Sequence, residues 1–234
     1  MTARAWQHPG LPALSVLLAA LLLGLSHGSV ALADAPPTGE SLPNLGQLKT
    51  RIVQYHDSGT YEAELEAVDR QAQAYLETRL KDPHIAVVLD IDETALSNWP
   101  HLRQYDFGYV PEAWDLWERE SAAWPIVPTL NLFRYARGHH VPVFFISSRP
   151  EKYRDVTVRN LESAGYGGYQ ALYMRGPDSP PGPSVIPFKS GVRKQLVEQQ
   201  HYDVVVSVGD QVSDLEGGYA DRTFKLPNPM YYIP

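Results

Sequence analysis

An α/β domain with a parallel central sheet, preceded by a helical lead, is the fold this sequence predicts. Three observations carry the prediction. Residues 85–89 (Ile-Ala-Val-Val-Leu) form an unbroken apolar run of strand length, the pattern of a strand buried on both faces. From there to about residue 226, strand-like and helix-like segments alternate, which argues for parallel strands joined by crossovers. Finally, polar groups fall just after three of the strand-like runs: Asp90 and Asp92, Ser147, and Asp210 with Asp214.

Taken in order, Asn44 opens a helical pattern through Leu45, Leu48, Ile52 and Tyr55, broken at Ser58-Gly59. A longer helix follows, with Tyr61, Leu65, Val68, Ala72, Tyr75 and Leu80 near helical period. Asp82-Pro83-His84 stops it before the run at 85–89. Residues 98–126 differ in character. Trp99, Tyr105, Phe107, Tyr109, Trp114, Trp117 and Trp124 crowd there with several prolines. A short helix over about 111–122 is expected, with Pro111 in its first turn. Helix 127–138 ends at glycine. A second strand is expected over 141–146, a helix over 151–164 and a short strand over 171–174. The proline-rich stretch 178–187 reads as loop. A helix over about 190–200 has Lys189 just before it, a strand spans 203–208, and a last strand covers 223–226. Residues 227–234 read as irregular.

The 234 residues suffice for one domain with a sizeable core. A net charge of −7 with no basic block argues against nucleic acid as a partner. There are no cysteines, which removes disulfides, thiolate catalysis and thiolate metal sites. Arg4 and His8 precede an apolar run over 11–25, followed by a polar break and Ala31-Leu32-Ala33. Residues 1–33 are therefore expected to be a secretory signal peptide cleaved after Ala33, since the apolar run is short of the ~20 residues of a membrane span. Residues 34–43 are expected to be a linker, and 44–234 the domain. Export to a periplasm or the medium follows, with no stable membrane anchor.

In parallel sheets, ligands bind beyond the carboxyl ends of the strands. That edge would gather Asp90, Asp92, Ser147, Asp210 and Asp214, with Lys189 nearby. Carboxylates crowded this way repel one another. A hard divalent cation resolves the conflict, and Mg2+ suits an oxygen donor set completed by water and phosphate. Lysine adds a point charge for phosphate, and the set as a whole suits a phosphoryl group in transfer. Asp90 is expected to be the nucleophile and Asp92 the acid and base. Metal contact is expected from Asp90, from Asp92 through its carbonyl, from Asp210, and from Asp214 through bound water. Ser147 and Lys189 would hold the substrate phosphate. A calcium loop is disfavoured, because Ala95 and His101 stand where glycine and glutamate would be needed.

The four segments DIDET, FFISSR, FKS and GDQVSD resemble, in order, the four motifs of the haloacid dehalogenase (HAD) superfamily. LDIDETALSN and FKSGVRK are similar to its class B/C acid phosphatase branch, which includes bacterial acid phosphatases and plant vegetative storage proteins. The resemblance covers about residues 44–226. It implies a Rossmann-like HAD fold with a small cap over about 98–126, and Mg2+-dependent hydrolysis of phosphomonoesters, often nucleotides. It also implies the site assignments above, position by position. Many relatives carry Thr-Gly-Arg where this chain has Ser147-Ser148-Arg149. Two alternatives stay open at this point: a phosphotransferase, in which an alcohol replaces water, and a non-catalytic storage or binding protein. Arg149 reads equally as a phosphate contact or a structural ion pair, and Arg193 as structural. One or more of Trp99, Tyr105, Phe107, Tyr109 and Trp124 is expected to stack on an aromatic leaving group.

Overall fold

The computed structural model describes residues 42–234, of which 43–234 form one compact unit. The expected signal peptide, and the expected linker up to residue 41, lie outside the described residues. The lead helices are α1 (Leu45–Asp57) and α2 (Thr60–Arg79). Asn44 caps α1 by accepting from the N–H groups of Gly46 and Gln47 at 2.9 and 3.3 Å. Gly59, at φ 80°, turns the chain into α2.

The central sheet is built from β1 (Ile85–Leu89), β4 (Val143–Pro150), β5 (Ala171–Arg175), β6 (Asp203–Gly209) and β7 (Arg222–Lys225). Its order is β5-β4-β1-β6-β7, and every pairing in it is parallel. All five residues of β1 are buried, which is why this stretch is continuously apolar. Its side chains alternate between two cores. Val87 and Leu89 join Leu65, Leu76 and Phe133 on one face, where α2 and α5 (Val127–Gly138) pack. Ala86 and Val88 join Val192 and Leu196 of α7 (Ile186–Glu198) on the other. Helix α6 (Arg154–Ser163) connects β4 to β5 and adds Leu161 to the first core.

The chain leaves β1 for β4 and β5 on one side, then returns past β1 to β6 and β7. The carboxyl end of β1 is thus the switch point of the sheet, where a crevice opens. The cap is inserted at that end. Its base is a two-stranded ribbon, β2 (Leu96–Ser97) against β3 (Trp124–Pro125), and it carries α3 (Trp99–Gln104) and α4 (Pro111–Glu120).

Element types follow the sequence reading, but two boundaries move in ways that affect the site. Strand β4 runs on through Pro150, so Ser147 and Arg149 belong to the strand end rather than to a loop after it. Helix α7 begins at Ile186, four residues earlier than the pattern suggested. Pro187 lies in its first turn, where a missing N–H leaves no helical bond unmade. Lys189 is therefore inside the helix, its own N–H bonded to the Val185 carbonyl at 3.0 Å. The ribbon β2–β3, the short helix α3 and the single turn α8 (Val212–Leu215) went unanticipated because they are too short to show a period.

Candidate active site

Asp90 follows β1 directly and receives a hydrogen bond from buried Lys189, whose Nζ also donates to Asp214 Oδ1 at 2.5 Å. Asp210, one residue past β6, completes a buried group. A ligand oxygen from each of Asp90, Asp210 and Asp214 lies within 4.8 Å of the others. Asp210 is held from three sides: Gln211 Nε2 and Asn228 Nδ2 each donate to its Oδ2 at 2.6 Å, and Thr94 Oγ1 to its Oδ1 at 3.3 Å. Asp214 is fixed by a capping box, its Oδ2 accepting from the Gln211 N–H at 2.8 Å. A Cβ at residue 209 would meet Asp214 Cβ at 2.5 Å, so only glycine lets β6 end this close to that carboxylate.

Burial, the Asp214 charge and the other carboxylates raise Asp90 far above the usual carboxylate range, against the opposing pull of Lys189. Burial and Asp214 push Asp210 up to about 7. Lys189 stays firmly cationic: burial works against its charge, but Asp214 and Asp90 outweigh it. One ammonium among three buried carboxylates leaves an excess of negative charge on an all-oxygen donor set, which is what a hard divalent cation fits. The three carboxylates would hold such an ion.

Asp92 is turned elsewhere. Arg149 grips its carboxylate from Nε at 2.9 Å and Nη2 at 2.6 Å, and Asn98 Nδ2 donates to Oδ1 at 2.8 Å. Burial acts to raise Asp92, but the Arg149 charge and these hydrogen bonds prevail and hold it below the ordinary range. The Asp92 carboxylate is thus engaged by Arg149 and Asn98, and the metal contact expected of this residue is through its carbonyl. Arg149, which sequence alone left undecided, forms an ion pair. Arg193 is structural as expected: its guanidinium donates to the carbonyls of Asp214, Leu215, Glu216 and Gly218.

Ser147 is fully buried, and its Oγ accepts from the Arg149 N–H at 3.1 Å. Since Leu89 pairs with Phe145, Ser147 lies at the same sheet edge as Asp90. Between them and the cap, Glu93 adopts φ 51°, a costly conformation for a residue with a side chain. It is stabilised by three contacts to the fully buried carboxylate: the Asn98 N–H at 2.6 Å, Asn98 Nδ2 at 3.1 Å and the Tyr231 hydroxyl at 2.6 Å. Burial and Asp92 push Glu93 up to about 7.

The residues that sequence reading missed come mainly from the tail. Asn228 and Tyr231 reach Asp210 and Glu93, the Ile233 N–H donates to Gln211 Oε1 at 3.1 Å, and Ser213 Oγ donates to the Ile233 carbonyl at 2.7 Å. An irregular segment offers no period to read. Tyr231 and Tyr232 passed as part of that irregular stretch.

A cavity of about 450 Å³ opens between cap and sheet edge, reaching from Asp92 and Arg149 to Phe107, Tyr109, Trp114 and Tyr232. Of the aromatics expected to stack on a leaving group, Phe107 and Tyr109 line it. Trp99 does not; it is buried, with its ring stacked on His56 at 3.6 Å. Tyr105 packs on His101, and Trp124 is exposed on β3.

Residues 42–234 match the model of the HAD superfamily, subfamily IIIB (acid phosphatase). Acid phosphatase 1 of Solanum lycopersicum is 34% identical over 188 residues, covering 78% of this chain and 73% of that protein. The stem 28 kDa glycoprotein of Glycine max is 32% identical over 185 residues, covering 77% and 72%. Among solved structures, the class C acid phosphatase from Bacillus anthracis superposes with a TM-score of 0.67 at 25% identity, covering 80% of this chain and 86% of that one.

Proposed function

The chain belongs to the acid phosphatases of HAD subfamily IIIB, and from that premise we propose that it hydrolyses phosphomonoesters through a phosphoryl group carried on Asp90. The observation that carries this reading is the unequal surroundings of two carboxylates only two residues apart. Asp90 faces Lys189 and the acidic cluster, whereas Asp92 faces Arg149 and Asn98. Carboxylates whose environments differ this way divide into distinct chemical roles.

In the first step an Asp90 oxygen forms a bond to phosphorus as the bond to the ester oxygen breaks, and Asp92 gives that oxygen a proton. In the second, Asp92 takes a proton from water, the water oxygen bonds to phosphorus, and Asp90 is released with inorganic phosphate. Lys189 and Ser147 hold phosphoryl oxygens through both steps. Mg2+, held by Asp90, Asp210 and Asp214 with the Asp92 carbonyl, would offset charge on the phosphoryl oxygens. At rest Arg149 keeps Asp92 ionised. An arriving phosphoryl group competes for that guanidinium and shifts Asp92 toward its protonated form.

The aromatic cavity supports a planar leaving group such as the base of a nucleoside monophosphate. Nucleoside monophosphates are expected to exceed glycerol phosphate in kcat/KM by roughly 5- to 150-fold, corresponding to a stacking gain of ~1–3 kcal/mol. Equal efficiency on both would remove this reading of the cavity. The leader pattern in residues 1–33 supports export; a mature amino terminus at Asp34 on protein recovered from outside the cytoplasm is the expected result. The direct test of the reaction is hydrolysis of p-nitrophenyl phosphate with and without EDTA. Activity is expected to vanish with chelator and return with Mg2+, and activity indifferent to EDTA would refute the metal.

A further inference from the structure

We infer that Trp117 of the cap helix is a positioning residue for proton transfer, acting on Asp92 through Asn98. This inference rests on the reading of Asp92 as the acid and base. Trp117 Nε1 donates to Asn98 Oδ1 at 2.7 Å. Asn98 Nδ2 donates to Asp92 Oδ1 at 2.8 Å and to Glu93 Oε2 at 3.1 Å. Asn98 is fully buried, so its amide has no water to turn to.

The polarity of this chain is forced. An indole N–H donates and never accepts, and an ionised carboxylate accepts and never donates. With Trp117 on one side and carboxylates on the other, only one orientation of the Asn98 amide satisfies every group. Oxygen faces the cap and nitrogen faces the site. Without the indole N–H, that orientation loses its partner on the cap side, and a buried carbonyl oxygen is left unpaired.

The consequence at Asp92 is specific to one oxygen. Oδ1 receives both Asn98 Nδ2 and Arg149 Nη2, whereas Oδ2 has Arg149 Nε as its close donor. Oδ2 is therefore the oxygen left to carry the transferred proton, and Asn98 keeps it aimed by pinning Oδ1. Trp117 itself is set by the cap. It lies in α4, its ring is stacked near His101 at 5.5 Å, and Ser121 at the helix end donates to the Val156 carbonyl of α6 at 2.9 Å. Cap placement is thereby tied to the aim of the proton donor.

The test compares two leaving groups. p-Nitrophenolate departs with little help from a proton, whereas the alkoxide of glycerol phosphate needs one. For Trp117→Phe, which keeps an aromatic ring and removes the N–H, kcat/KM on glycerol phosphate is expected to fall about tenfold or more, because kcat/KM covers the steps up to leaving-group release and not the hydrolysis of Asp90-phosphate that both substrates share. On p-nitrophenyl phosphate, kcat/KM should change less than about twofold. Asn98→Ala should show the same selectivity, and the double variant should be no worse than Asn98→Ala alone, as for residues acting in one chain. If Asn98→Ala does not fold, the substrate ratio in Trp117→Phe decides alone. Equal losses on both substrates in Trp117→Phe would mark Trp117 as merely structural and overturn the inference. Asp92→Asn separates this from failure of the underlying mechanism. If Asp92→Asn lacks the glycerol phosphate-selective loss, the acid role of Asp92 falls and the inference with it. If Asp92→Asn has the loss and Trp117→Phe does not, the inference alone falls.

Discussion

Asp90 and Asp92 have neighbouring places in the chain and separate electrostatic surroundings, and the residues that separate them come from three distant segments and from Asn98, six residues past Asp92. Lys189, Asp210 and Asp214 address Asp90, while Arg149 and Asn98 address Asp92. Replacing Asp90 by asparagine is expected to lower kcat on the order of 10⁴-fold or more, as for other essential nucleophiles. Asp92→Asn should cost about 10²- to 10⁴-fold in kcat/KM on an alkyl phosphate and less on an activated one. Steady-state kinetics on the two variants checks both. Gly209 supplies a separate check. Alanine there would press on Asp214 Cβ at 2.5 Å, so Gly209→Ala should destabilise the protein by roughly 1–3 kcal/mol in denaturant titrations and weaken Mg2+ binding. The acidic residues of this site were legible because they sit beside strand-like runs. Asn228 and Tyr231 were not, because their hydrogen bonds to Asp210 and Glu93 exist only once the tail has folded back.

At the level of elements, the sequence pattern located the longer helices and strands of the domain, missed the short β2, α3, β3 and α8, and misjudged two ends that lie at the site. The misjudged ends, β4 at Pro150 and α7 at Ile186, are both near proline and both at the site. The polar run Ser147-Ser148-Arg149 was read as lying past the strand, and the proline-rich stretch 178–187 as loop, although proline is compatible with a strand end and with a first helical turn. The packing of α2 on α5 carries its own test. Asp69 of α2 is buried and accepts from Thr129 Oγ1 of α5 at 2.9 Å, while its Oδ1 has no partner among the described residues. Burial pushes Asp69 up to about 7, above a carboxyl in the unfolded chain near 4. The folded state therefore holds this proton more tightly. The resulting stabilisation is complete below about pH 4 and is lost as pH rises through about 7, amounting to roughly 2–4 kcal/mol. Asp69→Asn, which cannot ionise, should flatten the fall in melting temperature between pH 4.5 and pH 8. A fall as steep as in the parent protein would show that Asp69 is not its source.

On the scale of the molecule, the sheet order brings Asp90, Ser147 and Asp210 to one edge, Lys189 reaches them from α7, and the cap and tail close over them. That edge holds five carboxyl groups (Asp90, Asp92, Glu93, Asp210 and Asp214) against the two cations Lys189 and Arg149. A bound divalent cation should therefore stabilise the whole fold, by about 2.7 kcal/mol when its concentration is a hundred times the dissociation constant. Mg2+ should raise the melting temperature of the parent protein, and Asp210→Asn should lose that response. The central claim is the phosphoryl group on Asp90, and it is tested most directly by acid-quenching Asp92→Asn during reaction with p-nitrophenyl phosphate and mapping its peptides by mass. The expected result is one phosphoryl group on the peptide containing Asp90, absent when Asp90 is also replaced by asparagine. Release of p-nitrophenol with no phosphoryl group on that peptide, or turnover that persists in Asp90→Asn, would contradict it.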